Sequence, residues 1–292
     1  MTSFVVIVAK QLRLYQWVKN ILLVLPMVLA HSLDDVDAWI QISVAFLAFS
    51  LCASTVYIIN DIVDVEADRR HHRKRHRPIA SGRLSVRTAL IMAAMCIVTA
   101  AFLAISVSEQ FVGWMVIYLL TTTTYSFVLK KVVVVDVLVL AGLYTIRVVA
   151  GGAATDILVS PWLLMMTLFV STSLAFVKRY TELLSMPLEE DGVMRRGYQR
   201  ADVELIRVVG PTIGLLSVLV LTMYIAGEDV QRLYRTPQWL WLCVPIVLYW
   251  IVDIWRQALR GLVHDDPIIH VARDVRGWVV ALLLGIVAAL AT

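Results

Sequence analysis

Charge is scarce in this sequence. Only 16% of its 292 residues are Asp, Glu, Lys or Arg, while 60% are hydrophobic, a balance too apolar for an ordinary soluble domain. Cysteine is scarce too. Cys52, Cys96 and Cys243 are an odd number, far apart in separate apolar runs and without metal-ligand spacing, which excludes a disulfide framework and a zinc site and leaves three small buried hydrophobes. There is no low-complexity linker and no soluble stretch long enough to fold alone. The N-terminal "MTSFVVIVAKQLRLYQ" lacks a small-residue cleavage site and carries Lys10 and Arg13, so it reads as an interfacial helix and not as a removed signal peptide. Half-to-half repetition, which transporters tend to show, is missing as well.

What is present is a succession of apolar runs of about 17 to 25 residues, the length that roughly 30 Å of hydrocarbon demands of a helix. They predict an all-α integral membrane protein, a single domain over residues 1–292. Nine spans are expected near 18–33, 38–60, 88–107, 111–129, 132–152, 160–184, 204–227, 237–256 and 275–291. With the N-terminus inside and the C-terminus outside, 23 of the 26 Lys and Arg residues fall in cytoplasmic segments; only Arg232 and Arg235 lie in the opposite loops, and Arg147 lies inside a span. The positive-inside bias therefore assigns the loops 61–87, 185–203 and 257–274 to the cytoplasm.

The first of these loops follows directly on an apolar run and reads "NDIVDVEADRRHHRKRHRPIASG" over residues 60–82. At 100° per residue Asn60, Asp61, Asp64 and Asp68 fall at about 0°, 100°, 40° and 80°, one face of a helix. Like charges so close to lipid are costly unless a cation neutralises them. Oxygen-only ligands suit a hard cation, and Mg²⁺ usually binds through one or two carboxylates together with substrate phosphate. A magnesium diphosphate is the expected partner. The competing reading is a solvated acidic face paired with Arg69, Arg70, Arg73, Lys74, Arg75 and Arg77. Pro78 and Gly82 end the helix and let a basic loop bearing Lys74 and Arg77 fold back as a lid. His71, His72 and His76, set among cations, read as facing solvent or headgroups.

Further polar residues gather on the same predicted face. In "TTTTYSFVLKKVVVVD" Tyr125, Lys130 and Asp136 lie close to the membrane face of the acidic motif, where Lys130 suits a phosphate oxygen as a point charge. Arg147 marks a polar cavity inside a span, or else snorkels to the surface. In "AFVKRYTELLS" Lys178, Arg179 and Glu182 share one helical face, a Glu placed to orient two cations toward an anion. The stretch "RQALRGLVHDDPIIHVARDVR" contributes Asp265, Asp266 and Asp274 as a structured loop of no assigned role. Trp17 reads as an interfacial anchor or as a wall for an isoprenoid chain.

These residues resemble the UbiA superfamily of intramembrane prenyltransferases. Asn60, Asp61, Asp64 and Asp68 match its first aspartate-rich motif, NDxxDxxxD. The resemblance implies a nine-helix bundle with a cytoplasm-facing active site in a bacterial inner membrane. Where aromatic prenyltransferases of the superfamily carry a second aspartate-rich motif, this chain reads "KRYTEL". Through "QWVKN" at 16–20, "YSFVLK" at 125–130, "IRVVAGG" at 146–152, "KRYTEL" at 178–183 and "DDP" at 265–267, it is similar to the branch that transfers phosphoribose to a polyprenyl phosphate.

That similarity implies 5-phosphoribosyl 1-diphosphate as donor, a polyprenyl phosphate as acceptor, Mg²⁺ as cofactor and a lipid-linked pentose for cell-envelope glycans as product. It implies no nucleic-acid partner and leaves room for a homo-oligomer. Asp61, Asp64 and Asp68 become the catalytic candidates, with Asn60 joining them as metal ligand. Lys19, Asn60, Lys74, Arg77, Tyr125, Lys130, Arg147, Lys178, Arg179 and Glu182 become candidates for substrate binding. The first motif serves a prenyl donor equally well, so a prenyltransferase with an aromatic or other lipid acceptor is the alternative. The additional phosphates of the phosphoribosyl reaction favour a site with additional cations.

Overall fold

The computed structural model describes residues 4–72, 74–185, 197–263 and 266–292, and every element among them is helical. Arg73, Asp265 and most of the loop 185–203 lie outside the described residues. The chain divides into two compact units, Met1–Val128 with Ile146–Val159, and Leu129–Thr145 with Ser160–Thr292.

The first unit opens with α1 (Phe4–Leu12), a 3-10 helix (Leu14–Val24) and α2 (Leu25–Leu29). The expected interfacial helix is thus α1, but the chain turns by 47° into the 3-10 helix at Arg13, whose φ of 54° is left-handed. The expected uniform span 18–33 is broken as well. Pro26 lacks an N–H and would clash with the carbonyl four residues earlier, so the helix restarts with the proline in its first turn. Next come α3 (Val36–Val63), α4 (Val65–Arg70), a 3-10 turn (Lys74–His76), α5 (Val86–Val107) and α6 (Glu109–Phe127).

The N-termini of α3, α5 and α6 are capped by Asp35, Ser85 and Ser108, each accepting from the backbone N–H three residues on, the bond that satisfies an orphan donor of the first turn. α3 packs on α5 through small residues: Ala45, Ala48, Cys52 and Ala53 on one, Ala89, Ala93, Cys96 and Ala100 on the other are all buried. Without a hydrophobic driving force in lipid, such residues let backbones approach and gain dispersion.

α7 (Val135–Thr155) belongs to both units. The second continues with α8 (Pro161–Leu184), α9 (Asp202–Ala226), α10 (Glu228–Leu233), a 3-10 helix (Pro237–Leu242), α11 (Cys243–Leu259), α12 (Pro267–Arg273) and α13 (Val275–Ala291). Ser173 of α8 donates to the Gly210 carbonyl of α9 at 2.8 Å and accepts from Trp255 Nε1 of α11 at 2.9 Å. Gly210 makes room for the Trp255 ring, which a Cβ there would meet at 2.3 Å.

Among the described residues, six helical segments are long and apolar enough to cross a membrane, and up to eight if each of two bent pairs counts as one span. The bent pairs are α1 with the following Leu14–Leu29 segment, and α12 with α13 at 78°. The ninth expected segment, 111–129, corresponds to α6. It starts on Glu109 and Gln110 and carries four consecutive threonines, Thr121 to Thr124, so it is less apolar than the rest.

Candidate active site

The acidic motif sits at the end of α3. At 28 residues this helix is about 42 Å long, more than the roughly 30 Å of a hydrocarbon core. The single helical face read from the sequence is interrupted at Asp64, which ends α3 and begins α4. The interruption is slight, because Asp64 N still donates to Asn60 O at 2.9 Å and Asp68 N to Asp64 O at 2.8 Å.

Asp61 and Asp68 are buried, with 3% and 2% of their side-chain surface exposed. Both are held by one atom: Arg77 Nη1 donates to Asp61 Oδ1 at 3.0 Å and to Asp68 Oδ2 at 2.6 Å. Asp61 Oδ1 also accepts from Arg13 Nη2 at 2.6 Å, and its Oδ2 accepts from Gln11 Nε2 at 3.1 Å. The Arg13 guanidinium lies 5.0 Å from the Tyr57 ring centroid. Asn60 Nδ2 donates to Ser126 Oγ of α6 at 3.0 Å. Among the described residues the Asp64 carboxylate makes no hydrogen bond or ion pair.

Arg77 reaches the carboxylates because its loop is anchored by apolar packing. Ile79 and Leu84 are buried in a cluster with Ile58 of α3 and with Ala89 and Ala93 of α5, Leu84 N donates to Pro78 O at 3.0 Å, and Gly82 takes the left-handed turn at φ 74°. Lys74 is half-buried on the preceding 3-10 turn, and Tyr125 is half-buried on α6. Lys19 is buried on the 3-10 helix after α1.

Elsewhere in the first unit Arg147 is buried and does not snorkel. Its Nε donates to Asn20 Oδ1 at 2.8 Å and its Nη2 to Tyr118 Oη at 3.1 Å, while Asn20 Nδ2 donates to Ser50 Oγ at 2.8 Å. The rings of Tyr118 and Phe49 lie 4.9 and 5.6 Å from the guanidinium carbon, close enough for their negative faces to stabilise the charge.

In the second unit the adjacent cations Lys178 and Arg179 diverge, as neighbours 100° apart on a helix must. Arg179 has no exposed side-chain surface. Its Nε donates to Asp136 Oδ2 at 2.5 Å, and its Nη1 pairs with Glu182. Asp136, equally buried, accepts from Tyr198 Oη at 2.7 Å, and that phenol oxygen accepts from Val134 N at 3.0 Å. Burial first, and the hydrogen bond to Asp136 second, push the Tyr198 phenol well above its ordinary range, so it stays neutral and donates. Lys178 Nζ donates to Asp266 Oδ2 at 3.3 Å, and Asp266 caps α12 by accepting from Ile268 N. Glu182, expected to orient both cations toward an anion, pairs with Arg179, while Lys178 turns to Asp266. Lys130 is half-buried on the 3-10 turn Leu129–Lys131.

Gln11, Arg13, Asp136 as a partner of Arg179, and Tyr198 went unassigned in the sequence. Neither heptad nor motif spacing signals them, since each meets its partner across at least 43 residues. The stretch between α11 and α13 is a pinned bend. Gln257 donates to both Asp253 and Asp274, His270 Nε2 lies 2.8 Å from Gln257 Oε1, and Asp274 caps α13 by accepting from Arg276 N.

The model of the UbiA prenyltransferase family matches residues 21–267. This chain belongs to that family. Several of its helices are apolar and of membrane-spanning length. It is 36% identical over 276 residues to the protein y4nM of Sinorhizobium fredii, covering 94% of this chain and 54% of that one. It is 41% identical over 180 residues to the decaprenyl-phosphate phosphoribosyltransferase of Mycobacterium tuberculosis, covering 60% of each. The chain therefore spans between half and two thirds of the length of these relatives. Its fold is similar to that of a UbiA homologue from Archaeoglobus fulgidus bound to GPP and Mg²⁺, with a TM-score of 0.70 at 15% identity over 96% of this chain and 98% of that one.

Among the described residues of this UbiA-family chain no three His, Cys, Asp or Glu side chains converge closely enough to hold a metal. Two carboxylates do converge: Asp61 Oδ1 and Asp68 Oδ2 meet at a single cationic nitrogen, Arg77 Nη1. Mg²⁺ needs no more than one or two carboxylates when phosphate and water complete its shell. The all-oxygen donor set, with a guanidinium standing in for the cation, fits such an ion.

Proposed function

We propose that this chain transfers 5-phosphoribose from 5-phosphoribosyl 1-diphosphate to a polyprenyl phosphate, releasing diphosphate. The product, polyprenylphosphoryl-5-phosphoribose, would supply lipid-linked pentose for envelope glycans. The reaction would take place at the cytoplasmic face of a bacterial inner membrane in a nine-span, N-in and C-out chain. The observation that carries this reading over the prenyl alternative is the state of "KRYTEL". Glu182 and Asp136 are both engaged by Arg179, and the half-buried Lys178 pairs with Asp266. A segment whose described carboxylates are each held by a cation presents no carboxylate pair to a second metal, and its Lys178 can exchange the partly exposed Asp266 for a phosphate. The similarity to the M. tuberculosis phosphoribosyltransferase points the same way.

In this reading Asn60, Asp61, Asp64 and Asp68 hold the metal and through it the donor diphosphate. Mg²⁺ bound there would neutralise the charge that develops on the departing diphosphate. Arg77 and Lys74, carried on one anchored loop, bind the diphosphate oxygens. Lys130 and Lys178 suit the 5-phosphate or the acceptor phosphate as point charges, while Arg179 positions the helix that bears Lys178. The acceptor phosphate is ionised at neutral pH and needs no strong general base. Its oxygen attacks C1 opposite the leaving group as the C1–O bond to diphosphate breaks, so an α donor gives a β product. Purified protein in lipid with Mg²⁺ and polyprenyl phosphate, offered phosphoribosyl diphosphate or else prenyl diphosphate with 4-hydroxybenzoate, tests the choice. Phosphoribosylated lipid formed by the wild type and lost in Asp64→Ala is the expected result. Prenylated aromatic product alone would overturn it.

A further inference from the structure

Two buried side-chain oxygens have no hydrogen-bond partner among the described residues, Gln11 Oε1 and Gln16 Oε1. Of these two side chains, Gln11 alone touches the acidic motif. It lies in the last turn of α1, 1% exposed, with Nε2 donating to Asp61 Oδ2. An ionised carboxylate only accepts, so it holds the amide with nitrogen inward and leaves Oε1 as the acceptor at the other end. A buried acceptor without a partner is rare in folded proteins and marks a place where a donor is expected.

The question is which donor arrives next to Asp61. Neither diphosphate oxygens, which accept, nor the hydrocarbon of a prenyl group brings a strong hydrogen-bond donor. A pentose does: its 2-hydroxyl is on the carbon adjacent to C1, which carries the diphosphate. Resting on the phosphoribosyl reading, we infer that Gln11 is a specificity-determining residue whose Oε1 accepts a hydrogen bond from a hydroxyl of the donor pentose. A site built around such an acceptor penalises a donor that lacks the hydroxyl, because the acceptor is then buried unpaired. Arg13, two residues on and bonded to the same carboxylate, fixes the end of α1 against Asp61 and with it the position of the amide.

The test compares phosphoribosyl diphosphate with its 2-deoxy and 3-deoxy analogues on the full chain in lipid, for the wild type and for Gln11→Met, which keeps length and volume without the amide. Two quantities are read: kcat/KM with polyprenyl phosphate, and donor affinity without acceptor from the ligand-induced shift in thermal unfolding. The wild type is expected to prefer the full donor over one deoxy analogue by about 10- to 100-fold in both, and Gln11→Met to reduce that ratio to near one. Taking the ratio within each protein cancels general damage by the substitution. If the wild type binds the deoxy analogues as tightly as the full donor, or if Gln11→Met lowers all donors equally, the inference fails while the phosphoribosyl reading stands. If Gln11→Met shifts only the Mg²⁺ requirement, Oε1 serves a metal-bound water and the inference fails. Should the wild type transfer only prenyl groups, the functional reading falls and the role of Gln11 with it.

Discussion

Asp136 and Arg179 are both fully buried and joined at 2.5 Å, so neither charge has solvent to turn to when the other is removed. Asp136→Asn is expected to destabilise the protein by about 3–5 kcal/mol, read as a lower midpoint of thermal unfolding in detergent. Tyr198→Phe removes the phenol's hydrogen bond to the same carboxylate and the one it accepts from Val134 N, and is expected to lose about 1–3 kcal/mol. The pH dependence of that loss follows from the direction of the Tyr198 shift. A phenol whose proton is held more tightly in the fold contributes its full stability below the ordinary tyrosine value of about 10, and loses it as the pH rises above that value toward the folded one. The gap in stability between wild type and Tyr198→Phe should therefore be constant near neutrality and narrow above about pH 10. Arg77→Ala leaves Asp68 without an ion-pair partner among the described residues and is expected to lose about 1–3 kcal/mol. Because the variant exposes two carboxylates that converge on one point, millimolar Mg²⁺ should raise its unfolding midpoint more than that of the wild type.

At the scale of elements, α7 carries an internal comparison. A Cβ on Gly151 would lie 2.0 Å from the carbonyl oxygen of Leu23 and under 3 Å from two more of its backbone atoms, while one on Gly142 meets nothing within 4 Å. Gly151→Ala should therefore force the helix away from the Leu14–Val24 segment and lower thermal stability and expression sharply. Gly142→Ala should be neutral, or stabilising by up to about 1 kcal/mol through helix propensity. The contrast shows what a sequence makes legible. The period of 3.6 residues is local, so the grouping of Asn60, Asp61, Asp64 and Asp68, and the pairing of Arg179 with Glu182, are visible in spacing alone. Gly151 and Gly142 look identical until the backbone that approaches one of them is known. The bends at Arg13 and Asp274 were hidden for the same reason. Their stabilising bonds run from Arg13 to Asp61 and from Gln257 to Asp274, between segments whose local hydropathy gives no hint of an interruption.

For the molecule as a whole, composition established the membrane class and the helical architecture, while counting spans from hydropathy reached nine where six to eight segments among the described residues satisfy length and apolarity. The orientation inferred from the positive charges is open to direct measurement. His76→Cys, on the loop that bears Arg77, should react with a membrane-impermeant maleimide only when the cytoplasmic face is accessible. Leu158→Cys, 98% exposed between α7 and α8, should react only from the other side; the native Cys52 and Cys96 are buried. The reverse pattern would invert the chain. The partners of Asp61 were less legible than the helical class, because the groups gathered there come from three separated stretches, around residues 11–13, 61–68 and 77. The sharing of Arg77 between Asp61 and Asp68 also bears on biogenesis. A chain that carries its own counter-charge can insert and mature before any divalent ion reaches it, so protein produced and purified under chelation should already be native, its assembly decoupled from the metal supply of the cell.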